Sequence, residues 1–155
     1  MANTYTQIYI QLIFAVKHRE SLISASWKGR LHKYITGIVQ NKKNKLIAIN
    51  SMPDHIHIFI GLNPENAISD LVRDIKKDTT NFINNNIKLS FKFAWQEGYG
   101  AFSYSHSQID YVVKYIVAQE KHHKKQTFRQ EYEQFLQKFA IKYVDCYNFK
   151  WITDE

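Results

Sequence analysis

A chain of 155 residues that is 45% hydrophobic and 15% aromatic fits one domain with its own core and is too apolar to stay disordered. No apolar run approaches the roughly 20 residues that cross a bilayer. The start MANTYTQIYIQ lacks the basic-then-apolar order of a signal peptide, and a single cysteine, Cys146, excludes an internal disulfide, so a reducing, cytoplasmic setting is expected. A formal net charge of +7 beside ten tyrosines and ten phenylalanines points to a polyanionic partner, because lysines neutralise phosphates and aromatic faces stack on unpaired bases.

Taken in chain order, YTQIYIQLIFAVK (5–17) alternates, with Ile8, Ile10, Leu12, Phe14 and Val16 on one face, and predicts a long strand buried on one side. SASWKGRLHKYITGIVQN (24–41) places Trp27, Leu31, Tyr34, Ile35 and Ile38 at helical spacing, with Ser24 as N-cap. KLIAINS (45–51) and HIHIFIGL (55–62) read as strands joined by a tight turn at Pro53 and Asp54. NAISDLVRDIKKDTTNFI (66–83) aligns Ile68, Leu71, Val72, Ile75, Thr79 and Phe82 on a second helix, ended by the run Asn84–Asn86. KFAWQEGYGAFSYS (92–105) predicts a strand or irregular hairpin around Gly98 and Gly100, and helices follow over about 108–123 and about 128–139. The order over the core, 4–105, is β-α-β-β-α-β. This is the ferredoxin-like α+β pattern, an antiparallel sheet with two helices on one face and the other face expected to be free for a ligand.

In HIHIFI the isoleucines 56, 58 and 60 point one way, and His55, His57 and Phe59 the other. Two imidazoles on one strand face, roughly 6–7 Å apart at Cα, can share a metal ion. Two ligands are too few to define a site, and an H-x-H pair alone reads more readily as ordinary sheet histidines.

SQIDYVVKYIVAQEKHHKK (107–125) supplies more. Ile109, Val112, Val113, Ile116 and Val117 form its buried stripe, and Tyr111, Tyr115 and Gln119 recur every four residues on the flank. A tyrosine hydroxyl is a potential nucleophile, and an amide oxygen is a hard ligand suited to Mg²⁺ or Mn²⁺. Spacing does not choose between Tyr111 and Tyr115; it only sets Tyr115 one turn from Gln119.

With SMPDHIHIFIGL, SDLVRDIKKDTTNFI, FAWQEGYGAFSYS and YIVAQEKHHKKQTFRQEY in this order, the chain resembles the single-tyrosine HUH transposases, small insertion-sequence enzymes acting on single-stranded DNA. The resemblance covers nearly the whole chain and implies one transposase domain over 1–155. It implies that His55 and His57 are metal ligands, Gln119 the third protein ligand and Tyr115 the nucleophile, with Mg²⁺ or Mn²⁺ as cofactor. It also implies hairpin-ended single-stranded DNA as partner, and a homodimer in which the tyrosine helix of one chain can complete the metal site of the other. Glycines 98 and 100 and the polar SYSHSQ are where such a helix would hinge.

Lys17, Arg19, Arg73, Lys76 and Lys77 are the expected phosphate contacts, though ordinary solvated charge explains any one of them equally. A competing reading keeps the fold and basic surface in a non-catalytic or domesticated DNA- or RNA-binding module. Another is a two-histidine hydrolase using water.

Overall fold

A computed structural model describes residues 3–18, 22–123, 125–143 and 149–152; Arg19 and Cys146 lie outside these. Its elements are β1 (Tyr9–Ala15), α1 (Lys28–Asn41), β2 (Lys45–Met52), β3 (His55–Gly61), α2 (Ile68–Asn86), β4 (Gly100–Tyr104), a 3₁₀ turn (His106–Gln108), α3 (Ile109–Val117), α4 (Gln119–His123) and α5 (Phe128–Lys138). The sheet order is β2-β3-β1-β4 with every pair antiparallel, which is the ferredoxin-like arrangement the sequence pattern predicts. Among the described residues no helix is long and apolar enough to cross a membrane.

Register explains which side chains share a face. Ile10, Leu12 and Phe14 of β1 lie opposite Ile60, Ile58 and Ile56 of β3. This is the layer under the first two helices: Leu31, Ile35 and Val39 of α1 and Leu71, Val72 and Ile75 of α2 are buried, and Lys76 of α2 holds its ammonium 5.3 Å from the Phe14 ring centre. The other face carries Gln11, Ile13 and Ala15 opposite Phe59, His57 and His55.

That second face is not free. Phe135 of α5 packs 5.1 Å from Phe102 of β4, and Phe128 stacks 3.9 Å from His55. The expectation of an open sheet face is therefore corrected: α5 folds back over its own chain, and every β1 residue from Ile10 to Ala15 is buried. Gly100 makes the approach possible, since a Cβ there would lie 2.7 Å from Tyr132 Oη and 2.9 Å from Tyr132 Cε1 and Phe102 Cε2.

Several boundaries move for local reasons. The helix expected from Ser24 begins at Lys28, because residues 25–27 form a turn whose amides at Trp27 and Lys28 bond the Ser24 carbonyl. α2 runs through the asparagines to Asn86, where Asn84 both donates to and accepts from the Phe93 backbone. The expected single helix over 108–123 is broken at Ala118. There Asn50 of β2 donates to the Ile116 carbonyl at 2.9 Å, capturing an acceptor that a continuous helix would use.

Candidate metal centre and active site

β3 begins immediately after the Pro53–Asp54 turn, so His55 and His57 sit at the start of a strand in the middle of the sheet. Both are fully buried, with ring centres 5.0 Å apart. The face they occupy, expected to be free, is covered. His55 Nδ1 donates to Asp54 Oδ1 at 2.7 Å, and its ring lies flat against Phe128; together these fix Nε2 in one direction. His57 Nδ1 takes a hydrogen bond from Gln11 Nε2 at 2.8 Å, while Gln11 Oε1 accepts from the Tyr104 hydroxyl at 2.9 Å. His57 Nε2 then carries the proton.

α3 and α4 bring the other residues. Tyr115 points inward from α3 with its ring 6.1 Å from that of His57, and Gln119 opens α4 fully buried. Tyr111, one turn earlier, is 59% exposed, which separates the two tyrosines that spacing left equivalent.

The residue at the centre was not singled out from sequence. Glu131 of α5 is 1% exposed. Its Oε1 accepts from His57 Nε2 at 3.1 Å and His123 Nε2 at 3.1 Å, and lies 3.3 Å from His55 Nε2. Its Oε2 accepts a short hydrogen bond from the Tyr115 hydroxyl and another from Gln119 Nε2 at 3.1 Å. The sequence signal was an acid in the apolar stripe Phe128, Tyr132, Phe135, Leu136, Phe139, three residues after the first and four before the third. Burying a paired carboxylate costs several kcal/mol, which the four large α5 side chains Phe128, Tyr132, Phe135 and Leu136 offset at about 1.5–3 kcal/mol each.

The electrostatics follow from that packing. Burial opposes ionisation of Glu131, yet the imidazoles facing it hold its carboxyl well below the usual range. Burial alone would lower the His55 imidazolium, but the carboxylates of Asp54 and Glu131 raise it to about 9. Burial lowers His57. Burial, and then the Glu131 carboxylate, push the Tyr115 phenol well above its ordinary value. The phenol proton is thereby held against an anion.

The donor set fits a divalent ion. Among the described residues, His55 Nε2 and Gln119 Oε1 are buried without a hydrogen-bond partner, and one ligand atom each from His55, His57 and Glu131 lie within 4.8 Å of one another. His57 offers Nε2 once the Gln11 amide turns over, so that its oxygen accepts from Nδ1–H and its nitrogen donates to Tyr104. Two imidazole nitrogens with amide and carboxylate oxygens form a mixed set of the kind Mn²⁺ and Mg²⁺ accept. A hollow of about 100 Å³ lined by Gln11, Tyr104, Tyr111, Tyr115 and Lys138 reaches Tyr115 and Glu131.

The expected phosphate contacts lie elsewhere. Lys17 and Lys77 are exposed. Arg73 is exposed but paired with Asp70 and Asp74, each at 3.2 Å. Lys76 is half-buried, donating to the carbonyls of Gln96 at 2.8 Å and Gly98 at 2.6 Å, and burial lowers its ammonium to about 8. Arg73, Lys76 and Lys77 line a groove with Trp95, Gly98 and Tyr99, away from the histidines.

Comparison with known proteins bears on the fold and the family. Over 70 residues, 45% of the chain, the sequence is 29% identical to the ISDra2 transposase TnpA of Deinococcus radiodurans, and the aligned stretch spans 50% of that protein's length. The fold is similar to that of a protein from Deinococcus radiodurans R1 described as a transposase, with a TM-score of 0.61 and 20% identity over 77% of this chain and 95% of the other. It is also similar to a REP-associated tyrosine transposase bound to a REP hairpin, with a TM-score of 0.59 and 17% identity over 79% of this chain and 73% of the other. The profile of the IS200-like transposases matches residues 4–119, and the chain belongs to that family.

Proposed function

We propose that the protein is a DNA transposase that cleaves and rejoins single-stranded DNA by tyrosine transesterification. Tyr115 is the nucleophile, and His55, His57 and Gln119 hold Mg²⁺ or Mn²⁺. The observation that supports this most is convergence: the Tyr115 hydroxyl, the Gln119 amide and the His57 imidazole, from three different elements, all bond one buried carboxylate, with His55 Nε2 beside it.

In the reaction the Tyr115 oxygen attacks the scissile phosphorus in line. The bond from phosphorus to the 3′ oxygen breaks, leaving a 5′-phosphotyrosine on the protein and a 3′-OH on the departing strand, which takes up a proton. Glu131 Oε2 already accepts the phenol's hydrogen bond and so orients the attacking oxygen, whose proton passes to water as the bond to phosphorus forms. One phosphodiester replaces another, so no nucleotide hydrolysis is required, and reversal rejoins strands. A divalent ion, when bound, supplies Lewis-acid stabilisation of charge at the phosphate. The chain's own part is positioning: Asp54 and Phe128 orient His55, Gln11 orients His57, and α5 carries Glu131 to the Tyr115 hydroxyl.

A structural relative is bound to a hairpin, and the proposal extends hairpin-ended single-stranded DNA to this chain. Lys17, Arg73, Lys76 and Lys77 are proposed to contact its phosphates. The homodimer belongs to the same proposal. Tyr115 here meets the histidines of its own chain, so mixing Tyr115→Phe with His55→Ala protein tests exchange of the helix. Restored cleavage shows sharing in trans, and an inert mixture limits the site to one chain.

Labelled hairpin DNA incubated with Mg²⁺ tests the chemistry. A covalent protein–DNA adduct that disappears in Tyr115→Phe is expected. Binding without an adduct, or cutting that survives Tyr115→Phe, overturns the proposal in favour of a binding module or a hydrolase.

A further inference from the structure

We propose that Glu131 is itself a protein ligand of the divalent ion, so that α5 completes the cation site and one carboxylate is shared between the ion and the nucleophile. This rests on the metal site proposed above and adds to it a residue from outside the stretch that carries the two histidines, the tyrosine and the glutamine.

Three observations carry it. Asp54 accepts from His55 Nδ1 at 2.7 Å, so the Nδ1 proton is committed and Nε2 presents its lone pair to Glu131 Oε1, 3.3 Å away. Two electron-rich atoms shut away from water require positive charge between them: a proton in the metal-free protein, a metal ion in the loaded one. The spacing is also that of ligands on one ion. Bonds of about 2.0–2.2 Å in octahedral geometry put ligand atoms about 3–4.4 Å apart, and those of His55, His57 and Glu131 lie within 4.8 Å. Finally, Gln119 meets Glu131 through Nε2, at 3.1 Å, while its Oε1 is buried without a partner among the described residues. The amide and the carboxylate are thus side by side, with one hard oxygen already free to coordinate.

A consequence follows for Tyr115. The carboxylate that would bind the ion through Oε1 accepts the phenol's hydrogen bond through Oε2. Compensating its charge weakens the repulsion that holds the phenol protonated, so metal loading and nucleophile release act on one group. His123, 3.1 Å from Oε1, positions that carboxylate.

The test uses the full chain with Mn²⁺ alone, without DNA, by titration calorimetry and by the loss of free-ion paramagnetic resonance signal. Wild type is expected to bind one ion, His55→Ala to lose it, and Glu131→Gln to bind at least tenfold more weakly. Wild-type affinity in Glu131→Gln, with binding still lost in His55→Ala, overturns the role of Glu131 and leaves the histidine site standing. No ion on wild type overturns both. Should Glu131→Gln fail to fold, infrared difference spectra of wild type carrying ¹³C-carboxyl glutamate decide. One carboxylate band shifting at stoichiometric Mg²⁺ is expected, and an unchanged carboxylate region overturns the proposal.

Discussion

Gly100→Ala tests whether α5 is seated on the sheet of its own chain. The added methyl would sit 2.7 Å from Tyr132 Oη and 2.9 Å from both Tyr132 Cε1 and Phe102 Cε2. Ordinary carbon contacts begin near 3.5 Å, so the ring or the helix must retreat by roughly 0.7 Å. Phe102 is 2% exposed and Tyr132 5%, which leaves little room to yield. Overpacking of this kind costs about 1–3 kcal/mol, and at about 2–4 °C per kcal/mol for a domain of this size the melting temperature should fall by about 2–12 °C. Urea unfolding and thermal melts measure it. Tyr132→Phe removes the nearest atom, so in the double variant part of the loss should return, with a coupling of at least about 0.5 kcal/mol. A Gly100→Ala protein that melts with wild type, or strict additivity with Tyr132→Phe, would refute the seating of α5 and with it the burial of Glu131.

Gly37 lies inside α1, and a methyl added there would meet nothing within 4 Å, so Gly37→Ala should stabilise by about 0.5–1 kcal/mol in the same assay. Asn50→Ala removes the 2.9 Å bond to the Ile116 carbonyl; a loss of about 1 kcal/mol and faster amide exchange in α3 and α4 are expected, and unchanged exchange would show that the anchor does not hold them. Burial, and then Lys28, lower His32 to about 4. The unfolded chain therefore binds the extra proton first, and stability should fall as pH drops from about 6.5 to 4. His32→Gln should flatten that limb of the stability–pH curve, and an unchanged slope would contradict the shift.

The sequence carried what depends on local period. Alternation in HIHIFI placed both histidines on the face opposite Ile56, Ile58 and Ile60, and the register confirms that division. Helical spacing set Tyr115 one turn from Gln119. What it could not carry were facts set by distant partners. Strand period separates faces but does not say which face is covered, and an amphipathic helix such as 128–139 reads the same whether it packs on its own chain or another. The break at Ala118 depends on Asn50, 66 residues from Ile116. Lys76 looked solvated because its two carbonyl partners lie in an irregular segment. Glu131 was hidden for a different reason: an acid within an apolar stripe becomes informative only when the facing histidines are known.

The most direct measurement is anomalous diffraction from a crystal soaked in Mn²⁺. One strong peak is expected within ligand distance of His55 Nε2, His57 Nε2 and Gln119 Oε1, facing the Tyr115 hydroxyl. A peak elsewhere, or none with the histidines still turned onto Glu131 at full soak, would contradict that placement.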